Sequence, residues 1–408
     1  GAFCLRSPCQ YYLVGIVYLW IKAFWMKYYI IAGEASGDLH AANLIKSLKQ
    51  ENINTSFRGW GGDRMKAQGV TVVKHYRDLA FMGFWEVAKN IRTIFKNIHF
   101  CKDDIFAFQP NAIILVDYPG FNLRIAKWAK AQKIPVHYYI SPQVWAWKEN
   151  RVALMKRVID YLYVILPFEK TFFEVKHQLN VDFVGHPLLD EIAQFNPGSN
   201  EAFRATHKLP KHKPIVALLP GSRDQEVSKM VRIMSNTAKE FPDYCFAIGV
   251  APHLNEALFE NLEISIQRKK FNSRQKITLN IVKNDTYKLL AHAHAALVAS
   301  GTATLETALF GVPQIVCYKT SAFSYAIGKQ VVKLPYISLV NLILGQMAIP
   351  ERLQRNCNAK QLSKDLFEIL NGPTRRAQLD AYNVLKARLG GCGASDKAAK
   401  LISQRTHA

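Results

Sequence analysis

The stretch KYYIIAGEASGDLH, residues 27–40, runs from an unbroken apolar segment through a glycine-bearing turn into a helical pattern. Tyr28–Ala32 predicts a buried strand, and the spacing from about Asp38 to Gln50 predicts a helix. The same order recurs along the chain, with strands expected at Ala112–Val116 and Val136–Ile140. Asn196-Pro197-Gly198-Ser199-Asn200 is rich in turn formers and reads as a linker. Beyond it the pattern restarts, with a strand at Ile215–Leu219, a turn at Gly221-Ser222 and a helix from about Gln225. Strands follow near Cys245–Val250, Ile277–Val282 and Ala295–Ala299, the last opening onto Ser300-Gly301-Thr302 and a helix closed by Gly311-Val312-Pro313. Strands alternating with helices predict an α/β chain of two Rossmann-like, doubly wound domains with right-handed crossovers, facing a cleft at the carboxyl ends of both sheets.

The bulk properties fit. The chain has 408 residues, 49% hydrophobic and 21% charged, which is room for two or three domains at about 100–200 residues each. We expect an N-terminal domain over 26–195, a second over 200–375, and a helical segment over 376–408 that packs back on the first. The net charge of +22 points to anionic partners: phosphorylated metabolites, an acidic membrane surface or nucleic acid. Nucleic acid is disfavoured because no recognised binding motif accompanies the dispersed basic residues. Seven scattered cysteines without a CxxC suggest neither a disulfide framework nor a zinc site.

Residues 1–25 differ from the rest. Tyr11–Trp25 is mostly apolar but interrupted by Lys22, and falls short of the roughly twenty residues a membrane span needs. With no A-x-A-like cleavage site beyond it, the reading is a start at Met26 behind an upstream-translated stretch, the alternative being a membrane-surface anchor.

The chemistry sits at the ends of the strands. In Leu218–Arg223, Gly221 frees the backbone while Ser222 and Arg223 are presented at a helix start, where free N–H groups favour a phosphate. The alternative is an ordinary strand–helix turn capped by Ser222. Ser300, Gly301 and Thr302 repeat the arrangement, and Glu306, one turn on, is placed to accept from a ribose diol. Two such turns in one half favour a nucleotide diphosphate. Neither GxGxxG nor GxxxxGK[ST] occurs, which disfavours a nicotinamide oxidoreductase or a P-loop enzyme. In the first half Glu34 and Ser36 follow a strand, where a carboxylate suits hydroxyl groups better than phosphate. Asp117 follows another strand beside Pro119-Gly120, as a general base or as a turn cap. No Asp-x-Asp is present to hold a metal, so metal-independent chemistry without a cofactor is expected. Phe84, Val87, Ile91, Ile94, Phe95 and Ile98 follow helical spacing, with Lys89, Arg92 and Lys96 elsewhere on the wheel. This is either a core-facing helix or, with Phe81, Met82 and Trp85, an interfacial one. His137 and His186 read as structural.

GEASGDLH (33–40), VDYPGFN (116–122), HYYISPQVWAWKENR (137–151), LPFEK (166–170), FVGHPLLD (183–190), LLPGSR (218–223), ASGTATLE (299–306) and SLVNLILG (338–345) together resemble the lipid-A-disaccharide synthase family, from about Met26 to the C-terminal region. The resemblance implies a GT-B-type inverting glycosyltransferase that joins UDP-2,3-diacylglucosamine to 2,3-diacylglucosamine 1-phosphate (lipid X) and releases UDP. It also implies metal independence, peripheral attachment to the anionic cytoplasmic face of the inner membrane, and admits an oligomer. On it, Asn341 and Gln354 are expected to orient the donor, Asp117 to be the base, and Glu34 either its substitute or a ligand of the acceptor sugar. Gly120 stands where some members carry a second Asp, which places more weight on Asp117. A UDP-sugar epimerase of the same architecture is the rival; it would share the diphosphate turns without needing the apolar Phe84–Phe100 surface.

Overall fold

A computed structural model describes residues 25–79, 91–221, 224–250, 259, 263–267, 274–320 and 334–407. Two compact units are formed, one extending to Pro187 and taking up the chain again from Gly393, the other spanning Leu188–Cys392. The first contains β1 (Met26–Ala32), β2 (Thr55–Gly61), β3 (Thr71–His75), β4 (Ala112–Val116), β5 (Val136–Tyr139), β6 (Tyr161–Val164) and β7 (Asp182–Phe183), in the order β3-β2-β1-β4-β5-β6-β7. All neighbours run parallel. The second contains β8 (Ile215–Leu219), β9 (Cys245–Val250), β10 (Glu263–Gln267), β11 (Arg274–Thr278), β12 (Asn280–Lys283), β13 (Ala293–Ala299), β14 (Gln314–Tyr318) and β15 (Glu351–Leu353). Its parallel sheet is ordered β12-β9-β8-β13-β14-β15, and β10 pairs with β11 as a separate antiparallel ribbon. The expected strand at 277–282 is therefore two strands in different sheets, parted at Leu279.

Strands covered on both faces must be apolar throughout, and β4 (AIILV) and β8 (IVALL) are buried at every position. Alternation then sorts side chains between layers. Tyr29, Ile31, Trp60, Ile113 and Leu115 join one core, while Tyr28, Ile30, Ala32, Ile114 and Val116 join the other. The helix Ala35–Glu51 covers the second face. Its Asp38, 2% exposed, accepts from the backbone N–H groups of Gly62 (2.7 Å), Arg64 (3.1 Å) and Met65 (3.1 Å), pinning the turn after β2.

The expected 376–408 segment divides. The helix Pro373–Arg388 belongs to the second unit, where Gln378 accepts from the Gln314 N–H (2.8 Å) and Tyr382 donates to Val312 O (3.2 Å). Gly390, Gly391 and Gly393 take positive φ, a turn that side chains would resist. The last helix, Ala394–His407, then lies on Ala35–Glu51 through Ala398, Ala399 and Ile402. Ser47 donates to Asp396 (2.6 Å), and Arg405 pairs with Asp182 (2.5 Å) above the Tyr161 ring. Among the described residues no helix is long and apolar enough to cross a membrane.

Asp38→Ala strips an acceptor from three backbone donors, two of them in buried hydrogen bonds. At about 1–3 kcal/mol per stranded buried donor, the first unit should lose at least ~2 kcal/mol, read as a lower urea midpoint of unfolding.

Candidate active site

The pairing of Ala32 with Val116 brings the ends of β1 and β4 together, so Glu34 and Asp117 leave adjacent strands at one edge. Glu34 is exposed and extended at the start of Ala35–Glu51, with Ser36 exposed in its first turn. A Cβ on Gly33 would stand 2.3 Å from the Tyr118 ring, so only glycine lets that ring close over the turn. Asp117 and Tyr118 both adopt left-handed backbone, φ 45° and 49°. Such conformations cost about 1–3 kcal/mol each and persist only where the surroundings fix them. Here the Asp117 carbonyl accepts from Tyr138 OH (2.5 Å) and Asn122 Nδ2 (2.7 Å), and its N–H donates to Tyr139 O (3.2 Å). Burial, and then the charge of Glu34, push the Asp117 carboxyl up to about 6 despite a backbone hydrogen bond from Tyr118. A Cβ at Gly120 would meet nothing within 4 Å, so a second acid there is absent for no steric reason.

Sequence reasoning missed Glu169. This carboxylate is 1% exposed and accepts from Ile165 N (3.2 Å), Leu166 N (3.0 Å) and Trp145 Nε1 (3.1 Å). Burial pushes it up to about 7, with Asp117 adding to the rise. The signal was in LPFE, where Pro opens the helix Pro167–Thr171 and Glu follows the cap by three residues, the spacing of a capping box. His137 is fully buried between Tyr163 OH (2.9 Å) and Thr406 Oγ1 (3.2 Å), and burial holds it down near 3; His186, also buried, is held down near 3 as well.

In the second unit Leu219 pairs with Val298, again placing two strand ends side by side. Gly221 has φ 109°, and a Cβ there would sit 3.5 Å from that of Ala299, so the two turns abut. Ser222 and Arg223 lie outside the described residues. The Ser300 N–H donates to Cys317 O (3.0 Å) and its hydroxyl to Ile337 O (3.3 Å). Gly301 opens the helix Thr302–Leu309, and a Cβ there would meet nothing within 4 Å. Glu306 accepts from Tyr287 OH (3.2 Å), and burial and the nearby Glu191 raise its carboxyl. Tyr287, unanticipated from sequence, is held edge-on by Phe195 and Phe310 at 5.5 and 5.2 Å between ring centres. Gln354 stands in left-handed backbone (φ 50°) with its buried Nε2 unpartnered, which suits a residue waiting for a ligand.

Two expectations need correction. Asn341 is completely buried and spends its whole amide internally: Nδ2 donates to Ile349 O and Glu351 Oε1 (both 2.9 Å), and Oδ1 accepts from Ala348 N (2.8 Å) and Ile349 N (3.0 Å). It braces the loop that leads into β15 and has no group left to touch a donor. Phe81, Phe84, Trp85 and Val87 lie outside the described residues. The helix in question runs Ile91–Phe108, and Ile94 packs inward with Ile98, Cys101 and Ile105 rather than toward lipid. Phe95 alone of the described stripe faces out, 56% exposed, with Arg92 and Lys96 also exposed.

The brace is testable. Asn341→Ala strands several buried groups and should lower the unfolding free energy by about 2–4 kcal/mol, visible as a reduced melting temperature without any ligand. A donor-touching role would leave that temperature unmoved.

Residues 28–403 match the profile of the lipid-A-disaccharide synthetase family. The lipid-A-disaccharide synthase of Syntrophus aciditrophicus (strain SB) is 38% identical over 372 residues, 91% of this chain and 95% of that protein. Among solved structures, UDP-GlcNAc 2-epimerase from Neisseria meningitidis superimposes with a TM-score of 0.59 at 14% identity, covering 93% of this chain and 99% of that one. The glycotransferase of kitacinnamycin gives 0.60 at 12%, covering 93% and 98%. At such identities the last two establish the GT-B-like architecture alone, whereas the family match spans nearly the whole chain. The protein therefore belongs to the lipid-A-disaccharide synthase family of glycosyltransferases.

Proposed function

We propose that this enzyme transfers the glycosyl group of UDP-2,3-diacylglucosamine to the 6-hydroxyl of 2,3-diacylglucosamine 1-phosphate, with Asp117 as general base. The observation that carries the reading is the Asp117 carboxyl at about 6, at a strand end beside Glu34. It is ionised at neutral pH yet more basic than an ordinary carboxylate, as proton abstraction from a hydroxyl requires. The acceptor oxygen attacks the donor's anomeric carbon in line as its proton passes to Asp117. The carbon–oxygen bond to the diphosphate breaks with its electron pair leaving on UDP, and the configuration inverts. Glu34, exposed beside the base, keeps the Asp117 carboxyl raised and accepts from the acceptor's hydroxyls.

The turns at Ser222-Arg223 and Ser300–Thr302 would hold the diphosphate. Arg223 and backbone N–H groups there stabilise the growing charge, a task that a divalent cation performs in other transferases. Glu306, steadied by Tyr287, would take the ribose diol, and Gln354 offers an amide to the donor. Exposed Phe95 with Arg92 and Lys96 supports contact with an anionic membrane surface, where each basic residue contributes on the order of 1 kcal/mol.

Disaccharide and UDP formation from the two named substrates is the direct assay. Asp117→Asn should retain UDP binding while turnover falls about 10²–10⁴-fold, the usual range for a lost general base. In the unmutated enzyme kcat/KM should fall as pH drops below about 6, because protonation removes the base. Loss of turnover in Glu34→Gln with Asp117→Asn still active would exchange their roles. Arg223→Ala should cost at least about a hundredfold in kcat, and activity should survive chelation of divalent ions; a strict magnesium requirement would overturn the donor-site assignment.

A further inference from the structure

Val116 of β4 pairs with Tyr139 of β5, so the chain after β5 leaves the same sheet edge as Asp117. It passes through Ile140-Ser141-Pro142 into the short helix Val144–Trp147 and the turn Glu149–Arg151. Glu169 anchors this segment by accepting from the Trp145 indole. Beyond that anchor Trp147–Arg151 line an open groove of about 570 Å³. Trp147 is 53% exposed, and the Lys148 ammonium lies 4.2 Å from the centre of its ring.

The charges in this groove are unbalanced. Glu149, between the two cations in sequence, also lines the groove, but its carboxylate is paired with Lys176 (2.6 Å) and His177 (2.9 Å). Among the described residues neither Lys148 nor Arg151 forms an ion pair, and each cation raises the electrostatic cost of the other. Burial and the Arg151 charge lower the Lys148 ammonium, and Arg151 also acts on Tyr138, whose hydroxyl donates to Asp117. One unpaired cation over an exposed indole and a second lining the same groove, on the edge that bears the proposed base, are complementary to an anion joined to an apolar or sugar body.

We propose that the Trp147–Arg151 groove is the subsite for the phosphate monoester of the acceptor, with Arg151 and Lys148 pairing its oxygens and the Trp147 face packing on the acylated sugar. The inference rests on the glycosyl-transfer reading above and names where that reaction's acceptor is held. A dianionic monoester matches the two positive charges, and Arg supplies a planar fork that two phosphate oxygens can share.

Equilibrium binding of 2,3-diacylglucosamine 1-phosphate and of its dephosphorylated counterpart tests the subsite without turnover. Arg151→Ala and Lys148→Ala should each reduce the preference for the phosphorylated ligand by about tenfold or more, the loss of one charge-assisted pair. Arg151→Lys should recover part of it. The kcat/KM ratio for the two acceptors should move in parallel, with UDP affinity unchanged. An unaltered preference in both alanine variants sinks the subsite. Equal loss for the two ligands, accompanied by weaker cosedimentation with phosphatidylglycerol vesicles, makes these residues lipid-headgroup contacts and overturns it as well. If the unmutated protein binds the ligand with the expected preference but forms no disaccharide, the transfer reading fails while the subsite stands.

Discussion

Parallel strands joined by right-handed crossovers deliver their carboxyl ends to one edge, and the edge stays open only where consecutive helices turn to opposite faces. Here that happens once in each unit. After β1 the helix Ala35–Glu51 covers one face, while after β4 the helix Pro119–Ala131 covers the other through Phe121, Leu123 and Ile125. After β8 the helix Asp224–Ala238 buries Val227, Met230 and Met234 on one side, whereas Ala303, after β13, packs on the other. The residues given chemical roles follow from this geometry. Glu34 and Asp117 flank the first opening, and Gly221, Ser300 and Gly301 flank the second.

Within the first opening the backbone does work that side-chain identity does not reveal. Asp117 and Tyr118 stay in left-handed conformations because Tyr138, Asn122 and Tyr139 occupy every backbone polar group of Asp117. Gly33 is the complementary concession, since any side chain there would collide with Tyr118. Glycine in one strand-end turn and strain in its neighbour are two halves of one arrangement.

Short apolar runs made most strands legible, and β4, β8 and β9 fall where periodicity puts them. Sheet membership was not legible in the same way: ITLNIV (277–282) reads as one strand, yet Leu279 divides it between an antiparallel ribbon and the edge of the parallel sheet. The helix Ile91–Phe108 shows a second limit. Spacing marks an apolar stripe without saying which border of it is lined by other elements, and Ile94 and Phe95, adjacent in sequence, have opposite fates. Polar residues were the hardest to read. Asn341 looks the same from sequence whether it binds a ligand or braces a loop, because its partners Ile349 and Glu351 are defined only once the loop closes. Glu169 and Tyr287 escaped notice for the same reason, since the Trp145 indole that Glu169 accepts from and the Glu306 carboxylate that Tyr287 donates to are brought near only by folding.

The first opening carries raised carboxyls, as the proposed chemistry requires. Asp117 and Glu169 have raised carboxyls because burial and like charge act without a nearby compensating cation. A guanidinium within about 4–6 Å of Asp117 would pull its carboxyl down by about 1–3 units and weaken it as a base. A cation proposed to serve the leaving diphosphate is therefore best carried away from Asp117, and in chain order Arg223 follows β8, a strand of the other sheet. The Lys148–Arg151 pair is the apparent exception, since it shares an edge with Asp117. An acceptor phosphate would neutralise those charges in the proposed complex, and neither cation is among the groups that set the Asp117 carboxyl. The strand order β1-β4-β5 sets the proposed base and the proposed anion subsite on adjacent strand ends, so that anion binding at one end of the acceptor need not disturb basicity at the other.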